Sequence, residues 1–554
     1  MTPASIELAA TGGAERAFSG RAQRSPQWAR LVKRYQYLAR REMLACAVIL
    51  ALTLGIRAAL LPWMPVPHPA IHDEFSYLLA ADTYAHGRLT NPPHPFWQHF
   101  ETFQELSQPT YASKYQPLQG LVLAVGQKVF HEPWAGVYLS TGLMCMSLCW
   151  MLQGWIAPEA ALVGALCAVL RVGVLSYWMN SYLAGSVPAI GGTLAMGAVA
   201  RIWRSRQFGH SITWAAGLSM LALSRPYDAA IVGCGTAALL LWLLRKAQTP
   251  IATFWGRVAL PASMVLLPCA GFIAYNDDRV TGRASTLPYQ VHDRQYAMAS
   301  MFTPMPLGPE PPYRHAIMRE FWAEWNVGQW TRARTDPVST MLVKSLTMSD
   351  FYFPFWAWSI PLLLWPYCLT SGAERATVFL LAVFTLMMAP LIAIQPHYGA
   401  AFAGVLYLRF LQSVKRLWSW RPGSVPLGRA LASLVVALAL ADGLGLVPGR
   451  DLVSRGFGLR ASGFGAARAA MMQSLTAQPG RQLVLVRYAP EHDPQNEWVY
   501  NRAAIDASRV VWAREMSPEQ DRPFLEYFRG RRVWLLEADR SPPQLTPYTP
   551  ERQP

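Results

Sequence analysis

The sequence predicts an α-helical polytopic membrane protein of about eleven transmembrane helices, followed by a small C-terminal α/β domain. Three observations carry this. Of 554 residues, 52% are hydrophobic and only 15% charged, whereas about a quarter are charged in soluble domains. Apolar runs of nearly bilayer length recur along the chain, and basic clusters mark alternate connections between them. The 43 Pro and 22 Trp suit broken helices and interfacial aromatics. The net charge of +16 gathers beside the apolar runs and is not interleaved with aromatics, so nucleic-acid binding is set aside. All seven cysteines lie in apolar segments and read as small buried hydrophobes, without a disulfide framework.

Residues 1–41 are polar and arginine-rich, and lack the short apolar core and cleavage site of a signal peptide. They read as a cytoplasmic tail with an interfacial helix carrying Trp28, Tyr35 and Tyr37. The transmembrane domain spans 42–447, with apolar runs at about 43–62, 134–155, 159–178, 181–203, 213–224, 227–244, 257–275, 352–369, 376–394, 398–414 and 429–447. Arg201, Arg204 and Arg206, then Arg245, Lys246 and Arg257, then Arg375, then Lys415, Arg416 and Arg421 mark the inner connections. Loops 63–133 and 276–350 then fall outside. Both flanks of 213–244 are basic, so that stretch crosses twice around Pro226 or forms a re-entrant pair. Parity puts the C-terminal domain, 448–554, outside as well. Strands are expected at Gln482–Val486, Ser508–Trp512 and Arg532–Leu536, with a helix at 518–529, as in a largely parallel sheet. No glycine-rich phosphate loop lies between strand and helix.

Just beyond the first apolar run, residues 71–87 begin with two adjacent carboxylates, Asp73 and Glu74. Phe75, Leu78, Leu79 and Asp82 share one face of the predicted helix, which can lie along the bilayer surface, and Gly87 closes it. Asp73 suits either an N-cap or a functional carboxylate. Lys114, Arg225, His397 and Tyr398 fall at the outer ends of apolar segments, where ionisable groups are functional candidates. Each has a structural alternative: Lys114 snorkels, Arg225 pairs with Asp228 at a kink, His397 occupies a turn. Arg57, near the outer end of the first span, suits an outer carboxylate or a lipid headgroup and joins the phosphate-binding set. His86, His94 and His99 match no metal-ligand spacing. One carboxylate with several cations suits transfer from a lipid-linked phosphate: Asp73 takes the acceptor proton while Lys114 and Arg225 hold the leaving phosphate.

His72-Asp73-Glu74-Phe75 after the first span, and Ser113-Lys114-Tyr115-Gln116-Pro117-Leu118-Gln119-Gly120 before the next apolar helix, resemble the C-type (GT-C) glycosyltransferases, notably the protein O-mannosyltransferases and the bacterial aminoarabinose and RgtA-like lipid glycosyltransferases. The resemblance covers about residues 40–415. It implies Asp73 as base with Glu74 beside it, a polyprenyl-phosphate sugar donor, inversion at the anomeric carbon, and a lipid, glycan or protein acceptor. Lys114 to Pro117 match the family's Lys-x-Pro-Pro donor-phosphate element imperfectly. Some relatives use a divalent metal and others do not, so the cofactor stays open. The expected location is a cell membrane, multi-pass, of the bacterial inner-membrane type. A transporter and a non-catalytic scaffold are the rival readings. The break at Arg225-Pro226 favours the first, but no internal repeat supports it.

Overall fold

Eighteen or more apolar residues in a row form a helix whose side chains need an apolar phase, whether protein or lipid. The computed structural model describes residues 26–353, 371–423, 425–445 and 463–548. Among these, four helices are long and apolar enough to cross a membrane: Glu42–Ala59, Trp134–Trp155, Pro226–Lys246 and Ile251–Thr281. They divide into two kinds. Trp134–Trp155 is 67% buried within the protein and forms its centre, whereas Ile251–Thr281 is only 17% buried and turns Leu260, Met264 and Leu267 outward.

Of the eleven expected crossings, the run at 352–369 falls almost wholly outside the described residues; Cys368 and residues 448–462 lie outside them too. Several others are broken rather than continuous. The run at 159–178 is a helix, Pro158–Ala168, then a π-helical turn, Val169–Val174, then irregular backbone. The segment around Pro226 is two helices, Phe208–Ala222 and Pro226–Lys246, joined by a three-residue turn. The run from 398 starts as a 3₁₀ stretch, Pro396–Phe402, before the helix Ala403–Ser419. That stretch crosses Ser186–Ser205 so closely that a Cβ on Gly192 would meet the Ala401 carbonyl at 1.8 Å. Only glycine permits that approach. Four described cysteines are buried as expected, but Cys234 is exposed, on the outward side of Pro226–Lys246.

We number the elements of the 63–133 segment α1 (His72–Ala85), α2 (Pro117–Phe130), β1 (Glu105–Leu106) and β2 (Ala112–Ser113). α1 does not lie on the bilayer surface. His72, Glu74–Tyr77 and Leu79–Thr83 are all buried, because α2 packs along one side and the C-terminal unit along another. The face with Phe75, Leu78, Leu79 and Asp82 that suggested a surface helix is instead covered by other parts of the protein.

In the C-terminal unit, strands β3 (Gln482–Arg487), β4 (Val510–Arg514), β5 (Arg532–Glu537) and β6 (Gln544–Pro547) form one sheet in the order β4-β3-β5-β6. β3 runs parallel to β4 and β5; β6 is antiparallel to β5. Alternate side chains face opposite layers. Leu483, Leu485 and Val511 pack on Phe524 and Phe528 together with Leu79, Phe100 and Tyr111 of the 63–133 segment. Val484, Val486 and Trp512 pack against Leu475 of the helix Gly463–Ala477. The sheet therefore sits directly on the loop that carries Asp73.

Candidate active site

The backbone enters α1 through Ile71, in an extended conformation, so Ile71 rather than Asp73 is the N-cap. Glu74 turns back to serve that start. Its Oε2 accepts the N–H groups of Ala70 (2.9 Å) and Ile71 (3.1 Å), and its Oε1 accepts that of Tyr182 (2.9 Å). Burial raises the carboxyl to about 6, against the pull of these three N–H groups. Glu74, grouped with Asp73 as catalytic from the sequence, is thus committed to clamping the helix start to the 175–185 segment. Neighbours on a helix point roughly 100° apart, so two adjacent acids meet different surroundings.

Asp73 is the one facing out. It is half-buried, and its Oδ1 accepts the phenolic hydrogen of Tyr115. Tyr115 stacks on Tyr77, centroids 4.6 Å apart, and meets Tyr289 edge-on at 5.4 Å. Lys114 precedes it at the end of β2. The loop is held to α1 by Ser76, whose hydroxyl donates to the Gln104 carbonyl (2.6 Å) and lies 2.7 Å from the Ser113 hydroxyl.

The Lys114 ammonium lies 5.5 Å from the Tyr115 ring, 5.6 Å from Tyr289 and 5.4 Å from Trp322. Lys114 is buried, and among the described residues no hydrogen bond or ion pair reaches its Nζ. Burial lowers its pKa, opposed by the nearby charges of Asp293 and Asp73. Snorkelling is therefore not what Lys114 does; it is enclosed by rings.

Arg225 caps the start of Pro226–Lys246 and donates to the His397 carbonyl at 3.0 Å, with its guanidinium 4.8 Å over the Tyr398 ring. Its hydrogen bond goes there, while the expected pairing with Asp228 is electrostatic, each charge acting on the other. The charge of Arg225 acts on Tyr77 and Tyr289, and that of Asp73 on Tyr398, which ties the two halves of the cluster together. The His397 ring is already engaged, with Nδ1 2.9 Å from the Tyr177 hydroxyl. It fixes the turn whose carbonyl orients Arg225.

Arg57 stands apart. Fully buried, it donates to Asn180 (3.0 Å) and the Pro65 carbonyl (3.3 Å) and stacks over Trp134 at 4.6 Å. Its partners are an amide, a carbonyl and a ring, not an outer carboxylate. His94 and His99 pair with Asp506 (3.0 Å) and Asp521 (3.1 Å) of the C-terminal unit, and His86 with the Asp82 carbonyl (2.7 Å). Sequence reasoning assigned no role to Tyr115, Tyr77, Tyr289, Trp322 or Asp293. Tyr115 stood inside the quoted motif; nothing in the sequence marks the others.

No protein-family model and no curated protein sequence matches the chain. Among solved structures it is similar to ArnT from Cupriavidus metallidurans bound to undecaprenyl phosphate, with 11% identity, 93% of each chain covered and a TM-score of 0.50. The likeness is one of fold: the chain folds as that structure does. Two structures of the Archaeoglobus fulgidus oligosaccharyltransferase are also similar. The apo form is 11% identical over 90% of this chain and 69% of that one, TM-score 0.49. The complex with Zn and sulfate is 12% identical over 88% and 68%, TM-score 0.47. Among the described residues no group of three or more His, Cys, Asp or Glu could hold a metal ion.

Proposed function

We propose that the chain is a membrane glycosyltransferase that moves a sugar from a polyprenyl-phosphate donor to an acceptor on the outer face, with inversion, and that Asp73 is the base. One observation carries the reading: a half-exposed carboxylate oriented by a phenol, near a buried ammonium that makes no hydrogen bond or ion pair among the described residues. A buried cation without a partner is costly unless a ligand supplies one. A phosphate does. In the proposed step the acceptor oxygen attacks the anomeric carbon and Asp73 accepts its proton. The bond from that carbon to the phosphate oxygen breaks, and the phosphate leaves with the electron pair toward Lys114 and Arg225. A single base suits direct displacement.

On this reading residues 1–41 are cytoplasmic, 42–447 form the catalytic membrane domain, and loops 63–133 and 276–350 lie outside with the C-terminal unit, in a bacterial inner membrane. Undecaprenyl phosphate bound to the similarly folded ArnT supports a lipid phosphate as ligand. The test is binding of undecaprenyl phosphate to the detergent-solubilised full chain. Lys114→Ala is expected to weaken it by about 10- to 100-fold, the worth of one charge-assisted contact. Equal affinity in mutant and wild type contradicts the assignment.

A further inference from the structure

The C-terminal unit grips α1 on both sides of Asp73, and this rests on no feature of the lipid site. Tyr500 places its hydroxyl 2.7 Å from Nδ1 of His72 and 3.4 Å from the Phe103 carbonyl. The same ring stacks on Phe75, centroids 4.3 Å apart and planes 4° from parallel. His72 and Phe75 are three residues apart, hence neighbours on one helix face, and Asp73 lies between them in sequence. Arg468 completes the grip: its guanidinium sits 4.6 Å over the Phe75 ring and donates to the Tyr500 carbonyl at 2.9 Å. His72 itself is buried against Phe103 at 4.4 Å, and its Nε2 has no hydrogen-bond partner among the described residues. The Tyr500 hydroxyl is therefore what fixes the imidazole.

We propose that Tyr500 is a positioning residue: by holding His72 and Phe75, the C-terminal unit sets the direction in which Asp73 presents its carboxylate to the opening. This assigns the unit a part in the reaction and rests on the transferase reading above. The Tyr500–His72 contact is one of two holds on the first turn of α1, the Glu74 clamp being the other; without it the turn shifts about that clamp, and the Tyr115–Asp73 hydrogen bond shifts with it. The far end of α1 is held independently, because Asp82 accepts the Ala503 N–H at 2.9 Å. Tyr500→Phe keeps the stack on Phe75 and that far contact, and removes only the hydroxyl.

The test is carbodiimide labelling of carboxylates in the full chain, read residue by residue by mass spectrometry. Tyr500→Phe is expected to change the Asp73 rate by at least about twofold while the exposed Glu519 keeps its rate. His72→Gln deletes the same hydrogen bond from the other side and is expected to do the same. The double variant adds nothing further, as coupled partners require. An Asp73 rate equal to wild type in both single variants overturns the proposal. Turnover of radiolabelled undecaprenyl-phosphate hexoses separates the two claims. If Asp73→Asn turns over at the wild-type rate, the transferase reading falls and, with it, the catalytic meaning of the positioning. If Asp73→Asn is inactive while Tyr500→Phe and His72→Gln match wild type in kcat and in Asp73 labelling, the positioning proposal alone falls. The expected kinetic signature of Tyr500→Phe is a lowered kcat at unchanged donor KM.

Discussion

Tyr115 and Glu74 divide the labour of the Asp-Glu pair. Tyr115 holds the half-buried Asp73; Glu74 gives both oxygens to backbone N–H groups. The sequence shows two adjacent acids, and helix geometry says they diverge, but it does not say which one faces the body. That depends on where the Tyr182 backbone passes, a contact 108 residues away in the chain. Lys114 was legible as a cation beside an apolar helix. Its cage was not, because Tyr289 and Trp322 come from a distant loop. The Glu74 clamp makes a prediction with a definite sign. Burial raises its carboxyl from 4.5 to about 6, so the folded chain binds this proton more tightly than the unfolded chain. The stability it contributes is complete below pH 4.5 and is lost as pH rises through about 6. Glu74→Gln leaves N–H donors facing an amide and is expected to cost about 1–3 kcal/mol. Thermal unfolding of the two proteins should differ most at pH 4.5 and less just above 6. A difference independent of pH contradicts this account of Glu74.

Elements were read from the sequence as far as their periodicity was unambiguous. β3 and β5 lie where continuous apolar residues place them, because a central strand is covered on both faces. β4 begins two residues later than expected, at Val510, and β6 was missed, being a short edge strand that ends in proline. α1 shows the limit of periodicity: it reports an apolar face without saying what covers it. For the membrane helices the decisive quantity is outward exposure. Leu267, 70% exposed in the middle of Ile251–Thr281, has neither protein nor a polar partner around it. Leu267→Arg is therefore expected to raise the apparent insertion free energy of this helix by about 3 kcal/mol. An insertion reporter fused to the segment measures it. An unchanged insertion efficiency would mean that the helix lies in water.

At the scale of the molecule, the contacts bring the C-terminal unit onto the 63–133 segment. Phe100 and Tyr111 share a core with Leu483 and Val511, and His94 and His99 reach Asp506 and Asp521. No periodicity in either segment announces this packing, since its two sides are some 400 residues apart. The mostly helical fold, by contrast, was legible early, because apolar runs recur along the chain. Everything proposed for the whole protein turns on Asp73 acting as a base rather than as a cap, and Ile71 already fills the cap position. The most direct measurement is transfer from radiolabelled undecaprenyl-phosphate hexoses by membranes carrying Asp73→Asn at wild-type expression. The account predicts a loss of at least about a hundredfold with undecaprenyl phosphate binding retained; a wild-type transfer rate would contradict it.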